Sequence, residues 1–362
     1  MIALAMLVPV LQGQEIENPQ YDFSAVTKRV QGWVDRGYYP GAAFLVAKNN
    51  QVIYERCFGA YTPDTVVFIA SSGKWLAAAT IMTLVDEGKL SLDDPASKWI
   101  PQLKGEQGRS TLRQMLSHTS GYEPYQPDDK PKDDYQTLEE SVAHIVSLPM
   151  AHRPGEQFEY GGLAMQIAGR MAEIATGRSW EQLFQERIAR PLQMNNTHFT
   201  PVDSGGGHSP MLGGGARSTL RDYANFLSMI FNDGSFQGRR VLSKKAIREM
   251  EADQVHGATV PRGNFVEEVR GQMRNDIYGL GEWRELVNSR GSAVLLSSPS
   301  WAGAYPWIDK SRGIYGVILA HVNVEKANED HFSGFFQSPV LAMMARDAVN
   351  HAVKADRSLP HF

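Results

Sequence analysis

The sequence predicts an α+β fold in which one antiparallel sheet, flanked by helices, is built from both chain ends around an inserted, mostly helical lobe. Three observations carry this. Strand-like apolar runs lie near the start, at Ala42 to Ala47 and Val52 to Phe58. Similar runs return near the end, at Ala293 to Leu296, Ala304 to Asp309 and Ile314 to His321. Between them the apolar residues recur at helical spacing. The implied layout is an α/β lobe from residues 21–90 and 270–362, a helical lobe from 91–269, and a signal-like segment at 1–14.

The elements follow in order. Ile2 to Leu11 is almost wholly apolar and Gly13 follows it, which resembles the apolar region of a secretory signal without its basic start. Export to the periplasm or medium is the expectation. The run is too short for a spanning helix, which needs about 20 apolar residues. Phe23, Val26, Val30 and Val34 share one helical face, and Gly37 ends it. Asn49-Asn50 suits a hairpin turn between the first two strands. Val66 to Ala70 leads into Ser71, and Trp75 to Val85 reads as a helix closed by Gly88. Leu112 to Leu116, Leu138 to Leu148, Leu163 to Ala175, Ser179 to Leu192 and Leu220 to Phe231 are the clearest helices of the middle. Gln126 to Asp134 is polar and reads as a surface loop, and Gly205 to Gly207 and Gly213 to Gly215 as flexible connections. Lys310 to Gly313 turns between the last two strands, and Val340 to Val353 is a final helix.

The bulk numbers narrow the function. Of 362 residues, 42% are hydrophobic, which suffices for a sizeable core. A net charge of −4 argues against a nucleic-acid partner, because phosphate binding needs a basic face. The single cysteine, Cys57, excludes an intramolecular disulfide and reads as a small buried hydrophobe in a strand. No His-Glu-x-x-His and no phosphate-cradling glycine loop is present, so neither metal nor cofactor is expected.

One pattern carries chemistry. In Ser71-Ser72-Gly73-Lys74 a Ser and a Lys three apart share one helix face. A serine hydroxyl needs a base, and a desolvated lysine can be one. The helix N-terminus adds free N–H groups and positive potential. Four letters alone are weak, since Ser-x-x-Lys often falls on an ordinary surface helix.

More of the chain points the same way. Leu112-Arg113-Gln114-Met115-Leu116-Ser117-His118-Thr119-Ser120-Gly121, Pro154-Gly155-Glu156-Gln157-Phe158-Glu159-Tyr160, Pro191-Leu192-Gln193-Met194 with Thr197, and Gly213-Gly214 through Ser218-Thr219 and Asp222 follow in order. From about Gly41 to Val322 the chain resembles the penicillin-recognising serine hydrolases: class C β-lactamases, DD-peptidases and family VIII carboxylesterases. The resemblance implies a β-lactamase/transpeptidase-like fold. It implies Ser71 as the acylated nucleophile, Lys74 as the lysine that activates it, and Tyr160 as the tyrosine that shuttles a proton to the leaving group. It also implies an oxyanion hole from the backbone N–H groups of Ser71 and Ala304, a device that commonly supplies about 3 kcal/mol.

Two departures bear on the substrate. The family's Tyr-x-Asn reads Tyr160-Gly161-Gly162, so Gly162 replaces the Asn that helps hold a lactam amide. The third motif, usually Lys-Thr-Gly or His-x-Gly, reads Trp301-Ala302-Gly303, with no cation for a lactam carboxylate. Trp301 offers an apolar wall and one N–H. Trp301, Gly303 and Gly162 are therefore the expected substrate-contacting positions, unless Trp301 is a core residue. The expected activity is carboxylester hydrolysis on small esters. A class C-like β-lactamase or a D-amino-acid-specific peptidase, acting on an amide, is the alternative. A non-catalytic penicillin-binding-like sensor would be expected to lose the nucleophile or its bases. His118 reads as a structural histidine rather than a triad base, and His321 as a packing residue in a strand. Nothing in the sequence sets an oligomeric state.

Overall fold

A computed structural model describes residues 15–126, 137–199 and 210–356, with side chains through residue 352. The signal-like segment at 1–14, nearly all of the polar loop from Gln126 to Asp134, and Gly205 to Gly207 lie outside the described residues.

A seven-stranded sheet organises the molecule. Its strands in chain order are β1 (Ile16–Glu17), β2 (Gly41–Lys48), β3 (Gln51–Gly59), β4 (Trp283–Val287), β5 (Ala293–Ser297), β6 (Tyr305–Asp309) and β7 (Ile314–Ala320). They lie in the order β1-β3-β2-β7-β6-β5-β4, every pair antiparallel. The two chain ends meet at the β2–β7 pair, where Phe44 lies opposite Ile318. Asn49 and Asn50 both take positive φ, 48° and 66°, as a tight hairpin with right-handed strand twist requires.

Helices cover both faces, so β2 reads as a continuous apolar run rather than an alternating one. Phe44 and Val46 pack against α1 (Ser24–Asp35) and the C-terminal helix (Val340–Asp356) through Val26, Val30 and Leu341. Ala43, Leu45 and Ala47 face the opposite way, into the larger core that holds α2 (Gly73–Asp86). Every residue of α2 from Gly73 to Leu84 is buried, the signature of a helix running through a core. Its Thr80 and Thr83 return their hydroxyls to the carbonyls of Leu76 and Thr80, at 2.8 and 2.7 Å.

The middle of the chain is helical. Leu112–Leu116 is capped by a reciprocal Thr111/Gln114 box, and α3 (Leu163–Thr176) and α4 (Leu220–Phe231) match their predicted spans closely. Three expectations change. The run from Leu138 stops at Val146. The run from Ser179 is helical over Trp180–Phe184 and then widens into a π-helical turn over Gln185–Ala189. β4 was not foreseen, because Arg284 and Glu285 interrupt its apolar pattern. Both are buried: Arg284 donates to the carbonyls of Glu251 and Asp276, and Glu285 accepts from Arg270, Ser297 and Tyr305. Among the described residues no helix is long and apolar enough to cross a membrane.

Candidate active site

The short strand Val67–Phe68 brings the chain to Ala70, which adopts φ 43°. A positive φ at a non-glycine residue is a strained turn. It sharpens the passage into the single 3-10 turn Ala70–Ser72, which runs straight into α2. Ser71 thus stands at the entrance of α2, half-buried, with Lys74 one turn further on and only 1% exposed.

Lys74 Nζ donates to Ser71 Oγ at 3.1 Å and to the carbonyl of Gly213 at 2.5 Å. Burial lowers the Lys74 ammonium from 10.5 to about 7, so a neutral amine is accessible near neutral pH. The backbone around the serine is pinned. Ser298 Oγ donates to the Ser71 carbonyl at 3.2 Å, Ser72 Oγ to the Ser298 carbonyl at 2.6 Å, and Tyr223 Oη to the Ser72 carbonyl at 2.6 Å.

Tyr160 is brought to the same place. Lys74 Nζ lies over its ring, 4.6 Å from the centroid. Its hydroxyl is buried without a completed hydrogen bond. Burial raises the phenol well above its ordinary range, and the nearby Ser71 hydroxyl partly opposes this. His118 supports the tyrosine from behind, its ring centroid 4.7 Å away. The His118 Nδ1 accepts from the Gly161 N–H at 3.5 Å, its Nε2 pairs with Tyr278 Oη at 3.2 Å, and its carbonyl accepts from the Glu159 N–H at 2.8 Å. Burial, followed by the charge of Lys74, holds its imidazole far below the ordinary value and so neutral. These contacts are those of a structural histidine.

A cavity of about 470 Å³ opens over Ser71 and Lys74. Phe68, Tyr125, Leu163, Met211 and Trp301 make its walls, and Gly162, Gln126 and Gln166 also line it. Trp301 is 52% exposed, so it is not a core residue. It belongs to an aromatic group with Phe68 and His321, at 6.2 Å from each. His321 itself lies just past the end of β7 and is partly exposed, not packed within the strand. Cys57 is likewise only partly buried, and burial with Glu55 pushes its thiol up to about 11, away from nucleophile chemistry.

Gly162 has room for a side chain: a Cβ there would meet nothing closer than 3.9 Å. Gly303 does not, since its φ is 111° and a Cβ would fall 2.6 Å from the Tyr39 ring. Ala304 is fully buried, and its N–H donates to Ser300 Oγ at 3.0 Å. The walls Phe68, Tyr125 and Met211 were not singled out from sequence. Phe68 lies on a short strand and Tyr125 and Met211 on two separate loops, and no local pattern links them.

Comparison with known proteins places the chain. The profile of the Beta-lactamase family matches residues 26–333. A crystal structure from Bacteroides dorei DSM 17855, described provisionally as a β-lactamase, is 51% identical with a TM-score of 0.87, covering 91% of this chain and 99% of that one. The D-alanyl-D-alanine-carboxypeptidase/endopeptidase AmpH of Escherichia coli (strain K12) is 25% identical over 340 residues, 84% of each chain. Protein flp of Staphylococcus aureus (strain MW2) is 31% identical over 183 residues, 46% of this chain but only 36% of that protein, so the match spans little more than a third of that relative. The chain belongs to the Beta-lactamase family and has that family's fold.

Proposed function

We propose that the protein is a carboxylesterase that cleaves small esters through an acyl-enzyme at Ser71. The observation that carries this is the 3.1 Å contact between a buried Lys74 and Ser71, under a cavity whose walls are aromatic and aliphatic. Among its described lining residues Lys74 is the only cation. A neutral ester is accommodated there without the desolvated counter-charge that a lactam carboxylate requires.

The residues take complementary roles. Neutral Lys74 accepts the Ser71 proton as Oγ attacks the ester carbonyl carbon. The N–H groups of Ser71 and Ala304 meet the oxyanion, the latter giving up Ser300 Oγ to do so. Tyr160 donates its proton to the departing alkoxide, and the Lys74 ammonium restores it. Water then attacks the acyl-enzyme, with neutral Lys74 again as base, and releases the acid. Trp301 and the neighbouring walls hold the apolar part of the substrate. Gly162 leaves open space, and the Gly213 carbonyl serves as the second acceptor for Lys74.

A second reading, hydrolysis of a β-lactam or of a D-amino-acid peptide, is favoured by the similarity to the B. dorei structure and to AmpH. The two are separated by trapping. Rapid acid quench during turnover of a butyrate ester, followed by peptide mapping, is expected to find butyryl on Ser71. A Ser71 that stays unmodified by the ester but is acylated by a penicillin would overturn the esterase reading.

A further inference from the structure

We propose that Trp283 is a positioning residue for Tyr160, its indole N–H holding the phenolic oxygen while that oxygen gives up its proton. The inference rests on the role proposed above for Tyr160.

Trp283 opens β4 and is 2% exposed. Its ring lies beside that of Tyr160, centroids 5.1 Å apart and planes inclined by 34°. Phe265 and Tyr278 hold it there, at 4.8 and 4.9 Å. Both polar tips are orphans: neither the Trp283 Nε1–H nor the Tyr160 hydroxyl completes a hydrogen bond in the resting site, though both are buried. A buried indole N–H ordinarily finds an acceptor. With the two rings side by side, burial raises the Tyr160 phenol, while the Ser71 hydroxyl and then the Trp283 indole N–H act against that rise. A phenol is an acceptor of modest strength, and a phenolate a much stronger one. The bond therefore forms fully as the O–H of Tyr160 breaks and the leaving oxygen takes the proton, while the indole keeps its own.

The leaving group supplies the test. An alkoxide must be protonated to depart, whereas p-nitrophenolate leaves without a proton. Trp283→Phe keeps an aromatic ring and removes the N–H. With kcat/KM normalised to sites labelled by a fluorophosphonate, Trp283→Phe is expected to lose about tenfold on an alkyl butyrate and less than about threefold on p-nitrophenyl butyrate. Tyr160→Phe is expected to show the same selectivity with a larger loss. Equal losses on both esters, or no loss on either, would mean that Trp283 only packs and would overturn the inference. A Tyr160→Phe enzyme without selective loss would instead remove the role of Tyr160 itself. If Trp283→Phe does not fold, benzothienylalanine at position 283, which puts sulfur in place of the N–H, gives the same comparison.

Discussion

Lys74 Nζ sits 3.1 Å from Ser71 Oγ, in a side chain that is 1% exposed and has the Gly213 carbonyl as its other partner. Burial brings its titration down to about 7. In the proposed mechanism the neutral amine is the base, so kcat/KM for an ester is expected to rise through an apparent pKa near 7 and level off above it. The measurement is a pH–rate profile on p-nitrophenyl butyrate, corrected for spontaneous hydrolysis. An acid limb in the carboxylate range, with no inflection near neutrality, would count against Lys74.

The same burial costs stability. The folded value near 7 lies below the ordinary 10.5, so between these values the unfolded chain binds more protons than the folded one. The cost is fully present below about pH 7 and is relieved as pH rises towards 10.5. Lys74→Met is therefore expected to be inactive yet more stable by about 1–3 kcal/mol at pH 6, less the lost contacts. That advantage shrinks on going to pH 9. Urea unfolding of both proteins at the two pH values checks the sign.

Trp301 faces solvent and lines the same cavity as Ser71, within an aromatic group with Phe68 and His321. Trp301→Ala is expected to lower kcat/KM for butyrate esters about tenfold, largely through KM. Trp301→Lys supplies the cation that the third motif lacks. It is expected to raise cephalosporin hydrolysis relative to ester hydrolysis by about tenfold. A ratio that does not move would separate Trp301 from substrate choice.

His118 is buried and neutral, tied to Gly161 and Tyr278. His118→Gln is expected to lower stability by about 1–2 kcal/mol and to reduce kcat by loosening Tyr160. The acid limb of the pH profile should stay near 7. Movement of that limb by more than one unit would give His118 a proton-transfer role.

Sequence reading reached furthest where a pattern is local. The Asn49-Asn50 hairpin, α2 and the Thr111-capped helix each rest on a few adjacent residues whose conformational preferences agree. β4 was hidden because its centre is a buried Arg-Glu pair, satisfied by partners at Arg270, Asp276 and Tyr305 that lie outside any sequence window. In the candidate site, Ser71 and Lys74 are one helical turn apart, and that spacing is visible in the sequence. The acceptor opposite Lys74 is the backbone carbonyl of Gly213, and a carbonyl has no sequence signature. The cavity walls were illegible for a related reason, since Phe68, Tyr125 and Met211 meet only through the fold.

Paired turnover assays of the protein and its Ser71→Ala variant, on p-nitrophenyl butyrate and on a chromogenic cephalosporin, test the central claim most directly. Ester turnover that falls by about 10³-fold or more in the variant, with little cephalosporin hydrolysis by either protein, is the expected result. Cephalosporin hydrolysis that depends on Ser71 and exceeds ester hydrolysis would contradict the esterase assignment and the weight placed on Gly162 and Trp301.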